Sequence, residues 1–401
     1  MKILHTADWH LGKKLDSFSR IDEQMEVLAE ICEIADTEGP DMVIVAGDLF
    51  DAFNPSTEAI ELLYRTLKRL TANGTRPVIA ISGNHDSPAL IDAPEPLARE
   101  CGIIMAGYPD AEIKTLELPG FSIIKSAPGF IELKIGHLNH PVRVILTPYA
   151  NEVRMKEYFG DEKDKMLNQS LHDRWHNLAD HYCDDTGVNI LTAHLYMMNR
   201  QGAILEEPEG EKPIRIGNAD LVYSESIPSL IQYTALGHLH GFRNVGTEDR
   251  PAIYSSSPLP YSFSEAGQDK YVVIIDVEPG KNALVRKSVL QKGRRLYRKT
   301  FDDIDLAVQW LDNHPNALIE LTIESDSYIT ASDRKRLHQA HDGIIHLIPK
   351  IRNNDVEGVE TSEINISQDI RQLFSDYFKT KNAGQEPNEE IMNLFNEILQ
   401  Q

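Results

Sequence analysis

Five short motifs supply side chains that suit a pair of divalent metal ions. They contribute carboxylates, imidazoles and one amide, which are the oxygen and nitrogen ligands of first-row divalent metals. Two metals about 3.5–4 Å apart can clamp a phosphate and the water that attacks it. The combination therefore predicts a hydrolase of phosphate esters. The motifs are Asp8-Trp9-His10, Gly47-Asp48 with Asp51, Gly83-Asn84-His85-Asp86, His194, and Gly237-His238-Leu239-His240.

The spacing within the motifs predicts how the ligands are shared. Asp8 and His10 are two residues apart, so in an extended segment both side chains point to the same side. His238 and His240 repeat this spacing, and their offset lets two imidazoles serve two adjacent metals. Asp48 follows an apolar run, and a carboxylate can bridge two cations with one oxygen each. We therefore expect Asp48 to bridge the metals.

The remaining polar residues of the motifs complete the predicted site. Asn84 offers a carbonyl oxygen and His194 a further nitrogen. His85 sits beside Asn84 in a turn, so the two side chains should diverge and His85 should face the substrate. It would stabilise the phosphoryl charge of the transition state or protonate the leaving oxygen. Asp86 could orient the His85 imidazole.

Each motif also has an ordinary structural interpretation. Gly-Asp and Gly-Asn-His-Asp are rich in turn-forming residues, and a single histidine such as His194 is more often structural than a ligand. An isolated Asp-x-His is more often a turn or a satisfied polar pair. The joint occurrence of five motifs in this order favours the metal site.

The elements that must position these residues are strands. Lys2–Thr6, Asp41–Ala46 and Pro77–Ser82 predict three strands, and amphipathic helices over Ser19–Glu38 and Thr57–Ala72 separate them. This order predicts a parallel sheet, and open sheets place ligands at the carboxyl ends of their strands. The fold class is α/β, with two packed sheets flanked by helices. A helix is predicted over Lys165–Tyr182, a long loop over Met198–Pro228, and further strands at Ile103–Ala106, Ser122–Lys125, Val142–Leu146, Val188–Ala193, Tyr233–Leu236, Ala252–Ser255 and Tyr271–Val277.

After Val277 the pattern of strands and helices changes. Leu284–Phe301 is interpreted as a strand pair or one long strand, and a helix, a strand, a helix and a strand follow it. The expected domains are a core over residues 1–278, a small α/β cap over 279–352, and a linker with a helix-loop-helix tail over 353–401. The tail is too small to bury its own apolar stripes, so it must dock on this chain or on another protein. Its candidate partner-binding residues are Ile370, Phe374, Leu394, Phe395 and Leu399.

The chain is strongly acidic, with 40 Lys and Arg against 62 Asp and Glu and a net charge of −22. Such a charge repels a phosphate backbone unless metals and local basic patches reverse the field. If the substrate is nucleic acid, a partner subunit should supply much of the binding affinity for it. The basic segment Arg286–Thr300 is interpreted either as a DNA contact or as a solvated strand face. Its DNA-binding candidates are Lys292, Arg294, Arg295 and Arg298.

Other features of the sequence predict a cytoplasmic protein. No apolar run approaches the ~18 residues of a membrane span, and the first residues reach Asp8 too soon for a secretory signal. Cys32, Cys101 and Cys183 are odd in number and far apart. They are therefore interpreted as reduced thiols.

At these motifs the chain resembles the calcineurin-like metallophosphoesterases. More narrowly it is similar to the SbcD nuclease family, the bacterial counterpart of the Mre-type double-strand-break nucleases. The domain order of core, cap and helical tail agrees with that family. The narrower resemblance rests on Thr6-Ala7-Asp8-Trp9-His10-Leu11-Gly12, Gly83-Asn84-His85-Asp86-Ser87, Ala235-Leu236-Gly237-His238-Leu239-His240 and Ser256-Ser257-Pro258-Leu259.

The resemblance implies a Mn²⁺-dependent DNA nuclease for recombination, repair and replication. It would act as a 3'-5' exonuclease and as an endonuclease that opens hairpins. Its partner would be an SMC-like ATPase, SbcC, gripped by the tail helices, with a homodimer of nuclease subunits inside a heterotetramer. His85 would be the catalytic histidine. One metal would be held by Asp8, His10, Asp48 and His240, and the other by Asp48, Asn84, His194 and His238.

Two other functions stay open at this point. A phosphomonoesterase or a cyclic-nucleotide phosphodiesterase would keep the fold and change the substrate, although a single-domain phosphatase would not need residues 284–401. A subunit used mainly for assembly on the ATPase would explain the apolar stripe of Ile391–Leu399. A complete ligand set argues against a purely structural part.

Overall fold

The computed structural model describes residues 1–159, 163–202, 205, 221–326, 329–352, 374, 375, 378, 387, 392 and 395. The chain divides into two compact units, residues 1–324 with 329–350 and residues 325–328 with 351–401. In the described ranges, none of the helices combines the length and the apolar character of a membrane span.

The strands and helices named here belong to the first unit, except that Ser325 of β20 and Ile351 of β21 belong to the second. The helices are α1 (Ile21–Glu38), α2 (Thr57–Leu70), α3 (Pro88–Asp92), α4 (Glu95–Glu100), α5 (Glu152–Met155), α6 (Lys163–Tyr182), α7 (Ile304–Asp312) and α8 (Ala331–Ala340). The strands are β1 (Lys2–Thr6), β2 (Lys14–Leu15), β3 (Phe18–Ser19), β4 (Met42–Ala46), β5 (Val78–Ile81), β6 (Ile103–Ala106), β7 (Leu116–Glu117), β8 (Phe121–Ala127), β9 (Phe130–Ile135), β10 (Val142–Thr147), β11 (Val188–His194), β12 (Tyr196–Met198), β13 (Leu221–Tyr223), β14 (Tyr233–Gly237), β15 (Arg243–Asn244), β16 (Ala252–Tyr254), β17 (Lys270–Asp276), β18 (Leu284–Leu290), β19 (Arg295–Phe301), β20 (Ala317–Ser325) and β21 (Ile344–Ile351).

The first sheet has six strands in the order β18-β17-β1-β4-β5-β6. Strands β1, β4, β5 and β6 are parallel, which confirms the predicted parallel sheet. Both faces of these four strands are buried. Alternate side chains of a strand point to opposite faces of the sheet, so each strand contributes to two cores. Leu4 and Val43 pack with Leu28 and Leu63 of α1 and α2, whereas Ile3 belongs to the cluster between the two sheets.

The second sheet has eight strands in the order β15-β16-β14-β11-β10-β9-β8-β7. Val144 and Ile190 turn inward to join the cluster that contains Ile3 of the first sheet. On the other face, Ile145 and Leu191 pack with the fully buried Trp175 of α6. The first unit therefore has helix, sheet, sheet and helix layers, as the sequence predicted.

Three segments differ from the sequence-based expectation. Strand β9 was not predicted, and it pairs antiparallel with both β8 and β10. The predicted loop of 198–228 contains β13, which pairs parallel with β12. Leu284–Phe301 forms two strands, but they do not pair with each other. Strand β18 pairs with β17 of the first sheet, whereas β19 pairs with β20 of a separate three-stranded sheet, β19-β20-β21.

The link between β18 and β19 is held through its backbone. The Glu30 carboxylate accepts hydrogen bonds from the amides of Gln291 and Lys292, at 2.9 Å for each closest oxygen. The Glu23 carboxylate accepts one from the amide of Arg294 at 2.6 Å. Both carboxylates belong to α1, so this helix anchors the passage from the first sheet to the three-stranded sheet.

Candidate metal centre

The predicted ligands converge where the two sheets meet at the carboxyl ends of their strands. Asp8 follows β1, Asp48 follows β4, and residues 83–86 follow β5. From the second sheet, His194 ends β11, and His238 and His240 follow β14. Open α/β sheets bind their ligands at this edge, outside the carboxyl ends of the strands.

The loops that carry the ligands turn sharply. Asp8, His10, Asp48 and His238 all have positive φ angles, of 56°, 44°, 46° and 111°. The expectation that Asp8 and His10 lie in an extended segment is therefore wrong, because β1 ends at Thr6 and left-handed residues follow it. Backbone strain of this kind is costly and collects at functional sites.

Three clusters of donor atoms form within this region, each with all its atoms inside 4.8 Å of one another. The first contains Asp8, His10 and Asp48, and the second contains Asp48, His194 and His238. Asp48 is common to both. Its Oδ2 lies 3.6 Å from His10 Nε2 and 3.3 Å from His194 Nε2. The structure thus brings the two histidines to one carboxylate oxygen from opposite sheets.

The remaining predicted ligands complete the two clusters. Nε2 of His240 lies 3.0 Å from Nε2 of His10, and the Asn84 amide oxygen lies 3.0 Å from Nε2 of His194. The His194 ring is oriented by its Nδ1, which donates to the Ala46 carbonyl at 3.0 Å. The geometry thus groups His240 with His10, and Asn84 with His194.

Asp8 gives the clearest test of whether a cation fits. Its side chain is 1% exposed, and Oδ1 accepts a hydrogen bond from the His238 amide at 2.8 Å. Oδ2 is buried without a hydrogen-bond partner in the described part of the chain. Burial raises the pKa of Asp8 to about 7. A buried carboxylate oxygen of this kind needs a positive charge, so the ligand set suits divalent cations.

Glycines allow the loops that carry the candidate ligands to approach one another closely. A Cβ on Gly83 would lie 2.0 Å from Asp48 Oδ1, and one on Gly237 would lie 1.8 Å from the Ala46 carbonyl oxygen. Gly47 has a φ of 92°, and a Cβ there would meet the His194 ring at 2.2 Å. Side chains at these positions would push the ligands apart.

His85 lies at the edge of the ligand cluster. Its Nδ1 is 2.8 Å from the Asp51 carbonyl oxygen, which only accepts, so Nδ1 donates. Its amide donates to Asp48 Oδ1 at 2.9 Å. The third donor cluster contains His10, Asp51 and His85.

Asp86 differs from its predicted part as a partner of the His85 ring. Its carboxylate accepts hydrogen bonds from the backbone amides of Leu49, Phe50 and Gly83 at 2.8–3.0 Å. These bonds tie the loop after β4 to the loop after β5. Asp86 therefore fixes the backbone on which Asp48 and Asn84 stand.

Arg154 is a supporting residue that sequence reasoning missed. Its guanidinium donates to the Gly83 and Asp86 carbonyls, each at 2.8 Å, and to Ser82 Oγ at 3.1 Å. From α5, the Arg154 side chain thus holds the backbone of the loop of residues 83–86. No motif marks it, because an isolated arginine in a short helix looks like any surface cation.

The DNA-binding candidates of the basic segment are close to acidic residues or to their neighbours' backbone contacts. The DNA-binding candidates lie near acidic partners: Arg294 is 3.9 Å from Asp342, Arg295 is 3.5 Å from Asp269, and Arg298 is 2.7 Å from Glu320. The Lys292 amide donates a hydrogen bond to the Glu30 carboxylate.

The tail is described at a few positions. In the second unit the rings of Phe374 and Phe395 stack with their centroids 3.9 Å apart. Ile370, Leu394 and Leu399 lie outside the described residues.

Comparison with known proteins agrees with this geometry. The family model of calcineurin-like phosphoesterases matches residues 1–224. The SbcD protein of the Bacillus subtilis nuclease SbcCD is 35% identical over 99% of this chain and 97% of its own. Two solved structures are similar at lower levels. A phosphopantetheinyl hydrolase of Mycobacterium tuberculosis has 15% identity and a TM-score of 0.37, covering 65% of this chain and 90% of its own. A dimetal phosphatase of Danio rerio has 12% identity and a TM-score of 0.41, covering 73% and 96%.

The layered fold, the ligand clusters and the family model define a metallophosphoesterase with a calcineurin-like core. Within this class, the chain belongs to the SbcD nuclease family.

Proposed function

We propose that this chain cleaves phosphodiester bonds of DNA with two divalent metal ions, and that these ions are Mn²⁺. The observation that carries the proposal is the position of Asp48, whose Oδ2 lies between His10 and His194. The first metal would be bound by Asp8, His10, Asp48 and His240. The second would be bound by Asp48, Asn84, His194 and His238.

The residues of the chain have distinct tasks in this reaction. Two metals held by these ligands would supply Lewis-acid polarisation of the scissile phosphate and a water acidic enough to serve as the nucleophile. Asp48 sets the separation of the two ligand groups, and Asp86 with Arg154 keeps the loops rigid. His85 stands outside both groups, and its Nδ1 is engaged by the Asp51 carbonyl. With a proton on Nε2, His85 would stabilise the phosphate charge or protonate the leaving oxygen.

A cleft beside the metal centre supports a polymeric substrate. It has a volume of about 630 Å³ and reaches from Asp51 to the three-stranded sheet. Lys13, Lys14, Arg298 and His346 line it together with the acidic Asp16, Asp51 and Glu320. Lys13 pairs with Asp51, Arg298 with Glu320 and His346 with Asp16. A nucleic-acid strand that follows this cleft would place a phosphate beside the metals. Arg298 is the DNA-binding candidate that this route favours.

The assembly is part of the same proposal. The chain is similar over nearly its full length to the SbcD component of a nuclease named SbcCD. We propose that the tail of residues 353–401 binds an SMC-type ATPase, SbcC, and that two nuclease subunits join two ATPase subunits. The net charge of −22 supports a partner that brings DNA affinity of its own. The described cysteines Cys32, Cys101 and Cys183 are free thiols, which supports action in the cytoplasm.

The proposal is tested by cleavage of DNA hairpins and labelled blunt ends with and without Mn²⁺, and with and without the ATPase. We expect metal-dependent 3'-5' shortening of ends and opening of hairpins. Rapid hydrolysis of small phosphomonoesters or cyclic nucleotides, with DNA left intact in the presence of the ATPase, would contradict it.

The His85→Gln variant tests the assigned catalytic residue. We expect it to bind two Mn²⁺ ions and to lose about 10²–10⁴-fold in cleavage rate, the range for a lost acid or base. His137→Gln is the matched control, because His137 is exposed and bonds Asp41, which precedes β4 at the end remote from the metal centre. Full activity of His85→Gln would remove His85 from the reaction.

A further inference from the structure

A buried carboxylate outside the five motifs contacts one of the candidate ligands. Glu265 ends a turn over Phe263–Glu265, and the residue is 4% exposed. Its Oε1 accepts hydrogen bonds from the amides of Tyr261 and Ser262 at 3.0 and 3.1 Å. The same oxygen lies 3.4 Å from Nδ1 of His240.

Lys270 completes this group. Its ammonium forms a buried ion pair with Oε2 of Glu265, and both side chains are about 5% exposed or less. The same ammonium donates to the His240 carbonyl at 2.8 Å and to Ser257 Oγ at 3.0 Å. One ion pair therefore touches both the ring and the backbone of His240.

The chemistry of these partners decides which ring nitrogen of His240 carries the proton. An ionised carboxylate can only accept, so the His240 Nδ1 beside it must donate. The remaining nitrogen, Nε2, is then the one directed at the metal centre, 3.0 Å from His10 Nε2. A ligating histidine commonly donates its other N–H to a carboxylate, which fixes the ring and makes it a stronger ligand.

We propose that Glu265 is a positioning residue that fixes the Nδ1-protonated form of His240, so that its Nε2 binds a divalent metal, and that Lys270 holds Glu265 for this task. The inference rests on the metal centre proposed above. It adds two residues that lie in the segment between β16 and the end of the core, away from every motif of the metal site.

The test compares Glu265→Gln with Glu132→Gln in the full-length chain. Glu132 is the matched control, because it is also a buried carboxylate in an ion pair, with Arg143 at 2.9 Å. Its strand, β9, contributes none of the candidate ligands. Both variants remove the charge of a buried pair, so both should lower the melting temperature of the metal-free protein.

Metal titration separates the two variants. In calorimetric titrations with Mn²⁺, we expect Glu265→Gln to weaken one of the two binding events by roughly 10–100-fold and to leave the other near its wild-type value. Glu132→Gln should keep both. Unchanged Mn²⁺ affinities in Glu265→Gln, or an equal loss in both variants, would overturn the positioning role. Wild-type protein that binds no Mn²⁺ would instead contradict the proposed function.

A second measurement does not depend on the folding of any variant of Glu265. Nitrogen NMR of the metal-free wild type reports which nitrogen of each neutral imidazole is protonated, with His240→Gln used to assign the signal. The Nδ1–H form is expected for His240. Observation of the Nε2–H form would overturn the inference.

Discussion

His5 illustrates a buried histidine that serves the fold and stands apart from the metal centre. It lies in β1 of the first sheet, is completely buried, and its Nδ1 is 2.8 Å from the hydroxyl of Tyr233 in β14 of the second sheet. Burial lowers the pKa of His5 to about 3. In the folded protein the imidazole that joins the two sheets is therefore neutral at any pH well above 3.

His5 predicts a pH dependence of stability below neutrality. An unfolded histidine titrates near 6.5, so its contribution is complete above that pH and is lost as the pH falls towards 3, where only the unfolded state gains the proton. Between pH 7 and 5 the free energy of unfolding should fall by about 2 kcal/mol more in the wild type than in His5→Phe. Urea unfolding of metal-free protein measures the difference, and His137→Gln should behave as the wild type. Parallel pH profiles for the wild type and His5→Phe would contradict this prediction.

Individual residues were predictable where a motif carried them. The seven proposed ligands lie close together at the candidate metal centre, and each lies within four residues of the end of a strand whose apolar run was visible in the sequence. Arg154 and Glu265 were not predictable. Each acts through a partner more than 20 residues away, and no local pattern connects the two ends of such a contact.

At the level of elements, the metal centre depends on close contact between strands of different sheets. Gly237 ends β14, and a Cβ there would lie 1.8 Å from the carbonyl oxygen of Ala46, the last residue of β4. Backbone atoms cannot retreat as a flexible side chain can. The two sheets can therefore meet at this point only with glycine.

Gly237→Ala should separate the sheets at their ligand-bearing ends. We expect a loss of about 1–3 kcal/mol in the free energy of unfolding, the usual cost of overpacking, and weaker Mn²⁺ binding, since Asp48 and His238 follow these two strands. Gly241→Ala is the control, because its nearest atom would be Gln268 Oε1 at 3.8 Å. Thermal melts and Mn²⁺ titrations of both variants give the answer. Equal behaviour of the two alanine variants would show that the contact between Gly237 and Ala46 tolerates a Cβ atom.

The elements themselves were largely predictable, and their connections less so. The apolar runs of the first sheet lie within one or two residues of β1, β4 and β5 because these strands are buried on both faces. The pairing of β18 was not predictable, since four of its seven residues are exposed and its sequence continues into β19 without a strong turn signal. Gly293, with a φ of 88°, marks the break.

For the whole molecule, the acidic chain and its tail predict dependence on a partner. Phe374 and Phe395 stack in the second unit, which indicates that residues from both predicted tail helices pack together. The proposed assembly uses this pair as an apolar surface for the ATPase.

Replacing Phe395 and Leu399 with Glu together should abolish binding to the ATPase and spare Mn²⁺ binding. The physical reason is that two buried charges at an apolar interface cost far more than the contacts can return. Leu284→Glu with Leu306→Glu is the control, because these side chains are 71% and 54% exposed in the first unit. Co-purification with the ATPase distinguishes the variants. A complex that survives the tail changes would show that the tail is not the docking element.

The passage from β18 to β19 has a consequence for the substitutions that it tolerates. Glu23 and Glu30 hold the amides of residues 291, 292 and 294, and a backbone amide is the same in every amino acid except proline. Substitutions of Gln291, Lys292 or Arg294 therefore leave the attachment intact. Side chains at these three positions can therefore change, to any residue except proline, without removing a hydrogen bond that holds the passage.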